Sequence, residues 1–456
     1  MTALLYALGV LIFVVAILVS IGLHELGHMI PAKKFGGKVT QYFIGFGPTV
    51  WSKQVGETEY GVKAVPLGGY VKIVGMLPPE AAALADEVTY DEHGTPVQRV
   101  RKSNTGLFTQ LISDARAAEW ELVGPEDTDR LFYKMTWWKK VVVMAGGPTV
   151  NIVIAFFLFW LVFGTYGERG REVEAGPPVI DEVSDCVIAY ADEARPCRTG
   201  TDADPPSPAK LAGLEPGDRI VSFGGTPVTD WDQLRELIRD NGAAEAVVGY
   251  ERDGELQQTT VTTVVEPRPI SETDEKLVEV GFLGVTPTSR ETVTTGGPLF
   301  TLERMGTMTV DTVKALGQLP VKVYEVGEAI VGVEERKADS PVSIVGGSRF
   351  AGETTSSDDI DLAGKATFLL VLIAGFNLFI GLFNFLPLLP LDGGHIASAL
   401  WEAVRRGIAR LRRRPDPGYV DAAKLLPIAY VVAGVMLVMG LVLIVGDLVV
   451  PLSLTG

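Results

Sequence analysis

The chain has 456 residues, of which 47% are hydrophobic and 21% charged, and its formal net charge is -16. That balance argues against a nucleic-acid partner, because a phosphate-binding face needs a basic surplus. The two cysteines, Cys186 and Cys197, form no C-x-x-C pair, which argues against a thiolate zinc site. Four histidines, His24, His28, His93 and His395, are left as nitrogen donors.

The apolar residues are gathered into a few long runs, as in a membrane protein with soluble inserts. Residues 2–23 carry no charge and are long enough to cross a bilayer. A cleavable signal peptide is the competing reading of such a run. It needs a basic start, and MTALLYALG has none, while HELGH follows where cleavage would fall. Residues 141–166 predict a second span. Residues 366–391 predict a third, interrupted by Asn377, Asn384 and prolines. Residues 425–450 predict a fourth, with Pro427 near its start, where a missing N–H costs little. Lys33, Lys34 and Lys38 follow span one, WWKK precedes span two, and RRGIARLRRR lies between spans three and four. Four spans put all of these basic residues on one side, which predicts the cytoplasm there and both termini outside. Trp137 and Trp138 then sit at the interface.

Between spans one and two, residues 39–75 alternate like short strands with turns. Residues 77–129 read as a helical or partly disordered insertion. After span two, residues 178–265 alternate strand-like runs with turns and one helix, 231–240. Residues 298–333 have apolar positions at helical spacing. They fit either a helix packed on its own domain or a helix lying on the outer membrane surface.

HELGH places His24 and His28 four apart, so both imidazoles share one helix face and reach one metal ion. Glu25 stands beside them as a candidate base. Ionisable groups at the end of an uncharged span are costly, and such groups are functional by default. A catalytic zinc site takes three protein ligands and an open position. The candidate third ligand is Asp392, in NFLPLLPLDGGH, whose competing role is a helix-terminal cap. His395 is a rival ligand, ranked lower as a hydrogen-bonding neighbour. Asn151 and Asn384 are amides within spans. They serve either as interhelical hydrogen-bonding groups or as contacts to the substrate backbone or its oxyanion.

HELGH, AGGPTVN and NFLPLLPLDGG occur in that order on successive spans. This resembles the site-2 protease family of intramembrane zinc metalloproteases, most closely the bacterial regulator-of-sigma-E type and its actinobacterial relatives. The resemblance implies Zn2+ held by His24, His28 and Asp392, Glu25 as catalytic base, and substrate contacts from Asn151 and Asn384. It implies an α-helical membrane protein with four transmembrane helices, a cytoplasmic membrane-associated β-hairpin and an extracytoplasmic PDZ domain. SPAKLAGLEPGDRIVSFGGTPV resembles that PDZ domain, with Gly213, Gly217 and Asp218 at a turn before Ile220. One PDZ unit is visible where the sigma-E type has two. The expected order is helix one with HELGH (1–30), β region (31–76), cytoplasmic insertion (77–136) and helix two (137–166). The PDZ domain (178–266), an amphipathic region (298–350), helix three with LDGG (366–400) and helix four (425–450) follow. Residues 185–206 interrupt the PDZ pattern and hold both cysteines, as a disulfide or as two free thiols. The expected setting is a bacterial plasma membrane. Its expected partners are the lipid bilayer and membrane-spanning protein substrates, such as anti-sigma factors or signal-peptide remnants, after a first cut by another protease.

Overall fold

A computed structural model of the chain describes residues 2–78, 107–120, 123–190, 195–200, 203–271 and 274–452. It resolves into two compact units, Met1–Tyr166 with Gly296–Gly456, and Gly167–Thr295.

In the first unit, helix α1 (Thr2–Lys34) runs straight through HELGH, eleven residues past the predicted end of the apolar run. The charged motif residues are sound helix formers, and the first helix-breaking residue, Pro31, falls in the last turn. Gly36 then takes the left-handed backbone (φ +86°) that closes the helix. Strands β1 (Val39–Val55) and β2 (Thr58–Ile73) bend midway, so each contributes two segments to one curled sheet. Tyr42–Ile44 of β1 are flanked by Gly69–Val71 on one side and Tyr60–Val62 on the other, and Trp51–Val55 pair outside Thr58–Val62. The segment Gly69–Ile73 is therefore an edge, with no further strand beyond it among the described residues. Of the expected insertion, helix α2 (Leu107–Trp120) is described, while residues 79–106, including His93, lie outside the described residues. Glu119 Oε1 of α2 accepts from the backbone N–H groups of Gly75 and Met76, tying α2 to the end of β2. Helix α3 (Trp137–Thr165) follows.

The second unit opens with β3 (Glu168–Val173) and β4 (Ile180–Val183). A short helix α4 (Pro208–Leu211) leads to β5 (Arg219–Phe223), β6 (Thr226–Pro227) and helix α5 (Trp231–Asp240), which matches its predicted span. Asp230 caps α5 through the backbone N–H of Gln233. Strands β7 (Glu245–Arg252) and β8 (Glu255–Thr262) complete a sheet of order β6-β5-β7-β8. Gly213 (φ +74°) and Gly217 (φ +93°) make the predicted turn, and buried Asp218 receives Arg252 Nε at 2.7 Å. The unit extends beyond the expected 178–266. A hairpin of β9 (Val264–Ser271) and β10 (Asp274–Phe282) follows, then β11 (Val285–Pro287) pairs with β4. Strand β12 (Ser289–Thr294) pairs with β3, so the chain enters and leaves through one two-stranded stem. Cys186 and Cys197 form a disulfide. In the same loop the Arg195 guanidinium grips Asp204 with two hydrogen bonds (2.6 and 2.8 Å) and holds its carboxyl well below the usual carboxylate range.

The first unit resumes with α6 (Pro298–Ile330), α7 (Ile344–Ser356), α8 (Leu362–Asn384), α9 (Asp392–Leu411) and α10 (Leu426–Val449). Helix α6 buries Met305, Val323 and Val326 but leaves Leu302, Val313 and Tyr324 exposed, so its apolar arc is wider than the packing it makes. The expected third span, 366–400, divides in two. Helix α8 ends at Asn384, residues 385–391 turn, and LDGG opens α9 instead of ending α8. Pro387 and Pro390 explain the break, since neither offers an N–H to continue a helix. Among the described residues, four helical segments are long and apolar enough to cross a membrane: Thr2–Lys34, Trp137–Thr165, Leu362–Asn384 and Ala422–Val449. On α10 only Ala429, Gly446 and Asp447 are buried, so its remaining apolar side chains need lipid or a partner. Asp447 is held by Arg336, Ser343 and the Gly346 N–H, which fastens α10 to the start of α7.

Candidate metal centre

The tertiary fold brings α1, α3 and the start of α9 to one point. His24 Nε2 and His28 Nε2 lie 3.2 Å apart. Asp392 Oδ2 lies 3.3 Å from the first and 3.2 Å from the second. These three donors form a near-equilateral triangle. A tetrahedral zinc site with bonds of 2.0–2.1 Å has ligand–ligand edges of about 3.3 Å. The triangle therefore matches one face of such a site and leaves the fourth vertex free. The side chains of His24, His28 and Asp392 are 12%, 7% and 16% exposed, so bulk water does not compensate three polar groups held this close.

The far edges of both imidazoles face acceptors. His24 Nδ1 lies 2.9 Å from Asn151 Oδ1, and His28 Nδ1 lies 2.8 Å from the Val143 carbonyl oxygen. Both acceptors require a proton on Nδ1, which leaves each Nε2 lone pair aimed at the triangle. Asp392 is the first residue of α9, with Leu391 at the cap position and no side-chain cap there, so its carboxylate is committed to the imidazoles and not to the helix end. Glu25 stands outside the donor set. A Cβ on Gly69 would lie 3.0 Å from Glu25 Cγ, so the edge segment of β2 runs past it.

Asn151 is fully buried, and its Nδ2 donates to Asn377 Oδ1 at 3.4 Å, so both ends of its amide are used within the protein. Asn384 closes α8 with its Nδ2 on the Ile380 carbonyl. His395 does not join the triangle; it lies one turn further along α9 and lines a separate cavity. Sequence reasoning missed the glycines. A Cβ on Gly146 would collide with the Gly27 carbonyl, and one on Gly147 would fall on the Nε2 atoms of both histidines. The signal was present as AGG in a span otherwise built of bulky residues.

Asn151→Leu removes the acceptor that orients His24 and leaves all three donors in place. Zinc affinity is expected to fall about 10–100-fold, the range for lost outer-shell partners. Zinc titration against a competing chelator measures it. Unchanged affinity with a raised KM would instead place Asn151 on the substrate.

Two histidines and one carboxylate that could hold one metal ion, carried on helices long and apolar enough to cross a membrane, fit a zinc-dependent metalloprotease of the membrane. The chain belongs to peptidase family M50, the site-2 protease family, whose pattern matches residues 12–415. It is similar to the zinc metalloprotease Rip1 of Mycobacterium tuberculosis, with 34% identity over 99% of each chain. The zinc metalloprotease Rip1 of Mycolicibacterium smegmatis shares 33% identity over the same shares. A putative zinc metalloprotease of Brucella suis shares 27%, covering 86% of this chain and 85% of its own. Zinc is accordingly the cofactor of this enzyme.

Proposed function

We propose that the protein hydrolyses peptide bonds of membrane-spanning proteins within or at the edge of the bilayer, with His24, His28 and Asp392 holding zinc and Glu25 as general base. The observation that carries this reading is the donor triangle of 3.2–3.3 Å edges, set on helices long and apolar enough to span. Zinc bound there supplies Lewis-acid chemistry, polarising the scissile carbonyl and lowering the pKa of water to about 7. Glu25 takes the proton of the attacking water and passes it to the leaving amine. Asn151 positions His24 through Nδ1. Asn384, at the last residue of α8, is offered as a substrate contact.

A transmembrane helix hides its carbonyls in i to i−4 bonds, so the substrate must unwind before it can be cut. The edge segment Gly69–Ile73, running past Glu25, offers replacement backbone bonds by strand addition. Small or helix-breaking residues in the substrate ease that unwinding.

The finer setting is argued from sequence pattern. The basic residues at the end of α1 (Lys33, Lys34), in the first turn of α3 (Lys139, Lys140) and along and just past the end of α9 argue for the metal centre toward the cytoplasm and residues 168–365 outside. Residues 178–266 are read as a PDZ domain, on the turn Gly213–Asp218, helix α5 and the sheet β6-β5-β7-β8. Such a domain excludes substrates with bulky outer parts. That matches cleavage of anti-sigma factors or signal-peptide remnants after a first cut by another protease.

The test uses purified full-length protein and a single-span reporter. Wild type is expected to carry about one zinc per chain and to cut the reporter. A chelator should stop cleavage and added zinc restore it, and Asp392→Ala should carry none and cut nothing. An Asp392→Ala protein that keeps its zinc and its rate would show that the centre lies elsewhere.

A further inference from the structure

Helix α9 is apolar on the side it turns away from the protein. On its packed side Ala399 and Glu402 are buried, and Glu402 Oε2 receives Lys140 Nζ of α3 at 2.7 Å. That ion pair, with one partner on each helix, fixes which face of α9 is turned inward. The opposite face carries Leu400, Trp401, Val404, Ile408 and Leu411, all exposed, with Trp401 at 57% and Leu411 at 85%. At 3.6 residues per turn these five fall within an arc of about 100°. A helix on the surface of a water-soluble protein has the reverse arrangement, apolar inside and polar outside.

The same half of the helix is strongly basic. Arg405 donates to the Pro417 carbonyl at 2.9 Å, and Arg406 lies 3.4 Å from both Glu402 and Asp416. Arg410, Arg412, Arg413 and Arg414 are exposed, and none has a carboxylate within ion-pair distance among the described residues. Arg413 fills the left-handed position at the helix end that glycine usually takes (φ +51°), and the Arg414 N–H closes on the Ala409 carbonyl at 2.8 Å. In a chain of net charge -16 this cluster reverses the sign locally. Nucleic acid or an acidic peptide would answer the charge and leave the apolar stripe in water. A phospholipid answers both, with a phosphate for the guanidinium groups and acyl chains for the stripe. Lipid is also what α9 meets, because it runs between α8 and α10, two of the helices apolar enough to span.

We propose that the second half of α9 lies in the bilayer surface and binds anionic phospholipid. Leu400, Trp401, Val404, Ile408 and Leu411 enter the acyl region, with Trp401 as the interfacial anchor. Arg410, Arg412, Arg413 and Arg414 hold the phosphate groups. Asp392 is the first residue of the same helix, so the lipid contact and the metal centre sit on one rigid element. Neither the stripe nor the arginine cluster depends on the hydrolytic mechanism, and the test below reads no activity.

Full-length zinc-loaded protein in detergent is titrated with dioctanoyl phosphatidylglycerol, dioctanoyl phosphatidylcholine, inorganic phosphate or a short RNA, and bound species are counted by native mass spectrometry. Wild type is expected to bind phosphatidylglycerol at least about tenfold more tightly than phosphatidylcholine at low salt, and the preference should shrink at high salt. A protein combining Arg410→Gln, Arg412→Gln, Arg413→Gln and Arg414→Gln should lose the preference and keep its zinc. The apolar stripe is read separately. With Cys186 and Cys197 joined, Ile408→Cys carries the only free thiol and takes a nitroxide. In phosphatidylglycerol nanodiscs that nitroxide should be more accessible to oxygen than to a water-soluble nickel chelate. Equal affinity for the two lipids in wild type would overturn the proposal, as would a preference that survives loss of the four arginines. Phosphate or RNA bound as tightly as phosphatidylglycerol would make the cluster a general anion site and overturn it too. Should the combined variant lose its zinc, the nitroxide decides alone, and greater accessibility to nickel would place the stripe in water.

Discussion

Glu25→Gln is expected to bind zinc as the wild type does and to cut its substrate about 10²–10⁴-fold more slowly, the usual share of a general base. The amide has the shape of the carboxylate, so the local packing against Gly69 is kept. Glu25 is not one of the three converging donors, so none of the proposed ligands is lost. What disappears is a group able to take a proton from water and return it to the amine. Zinc stoichiometry and single-turnover cleavage of a reporter, measured on one preparation, separate the two effects. Equal rates for the two proteins would remove Glu25 from the mechanism, and loss of zinc would move it into the ligand set.

Gly147→Ala is expected to abolish zinc binding although all three proposed ligands remain. The added Cβ would fall against His28 Nε2 and lie 2.7 Å from His24 Nε2, where real Cβ atoms are not found. Both rings are fixed from behind by Asn151 and the Val143 carbonyl, so neither can step back without losing its hydrogen bond. Zinc affinity should fall by more than about 100-fold, beyond the range for outer-shell losses. The same change improves the helix itself, since Gly within a helix costs about 0.5–1 kcal/mol relative to Ala. Melting temperature is therefore expected to hold for the metal-free forms while activity vanishes. Gly164→Ala on the same helix is the control, because a Cβ there has nothing nearer than 3.8 Å. A Gly147→Ala protein with full zinc would mean that the α1–α3 crossing can open at this point.

The legible features were those carried by local pattern. Four apolar runs gave four helical segments, and the i, i+4 histidines share a helix face because α1 continues through them. Helix α5 and the turn at Gly213–Asp218 came out as read, since capping and left-handed glycine are short-range effects. The break between α8 and α9 was misplaced. Apolar composition extends through LPLLP, and composition weighs apolar residues more heavily than the two prolines that stop the helix. The stem of β3 and β12 was missed because its two strands are over a hundred residues apart.

By itself the sequence determined which chemical groups are present and which local faces they share: two imidazoles and a carboxylate on α1, and an acid after a proline-broken span. Only the tertiary structure decided that Asp392 closes a triangle with His24 and His28, that Asn151 and Val143 fix the imidazole tautomers, and that Gly147 keeps room for an ion. The physical reason is range. Helix periodicity and caps depend on neighbours within about four residues, whereas the metal centre depends on how closely α1, α3 and α9 approach. That approach is set by small residues at their crossings, whose meaning appears only once the helices are packed.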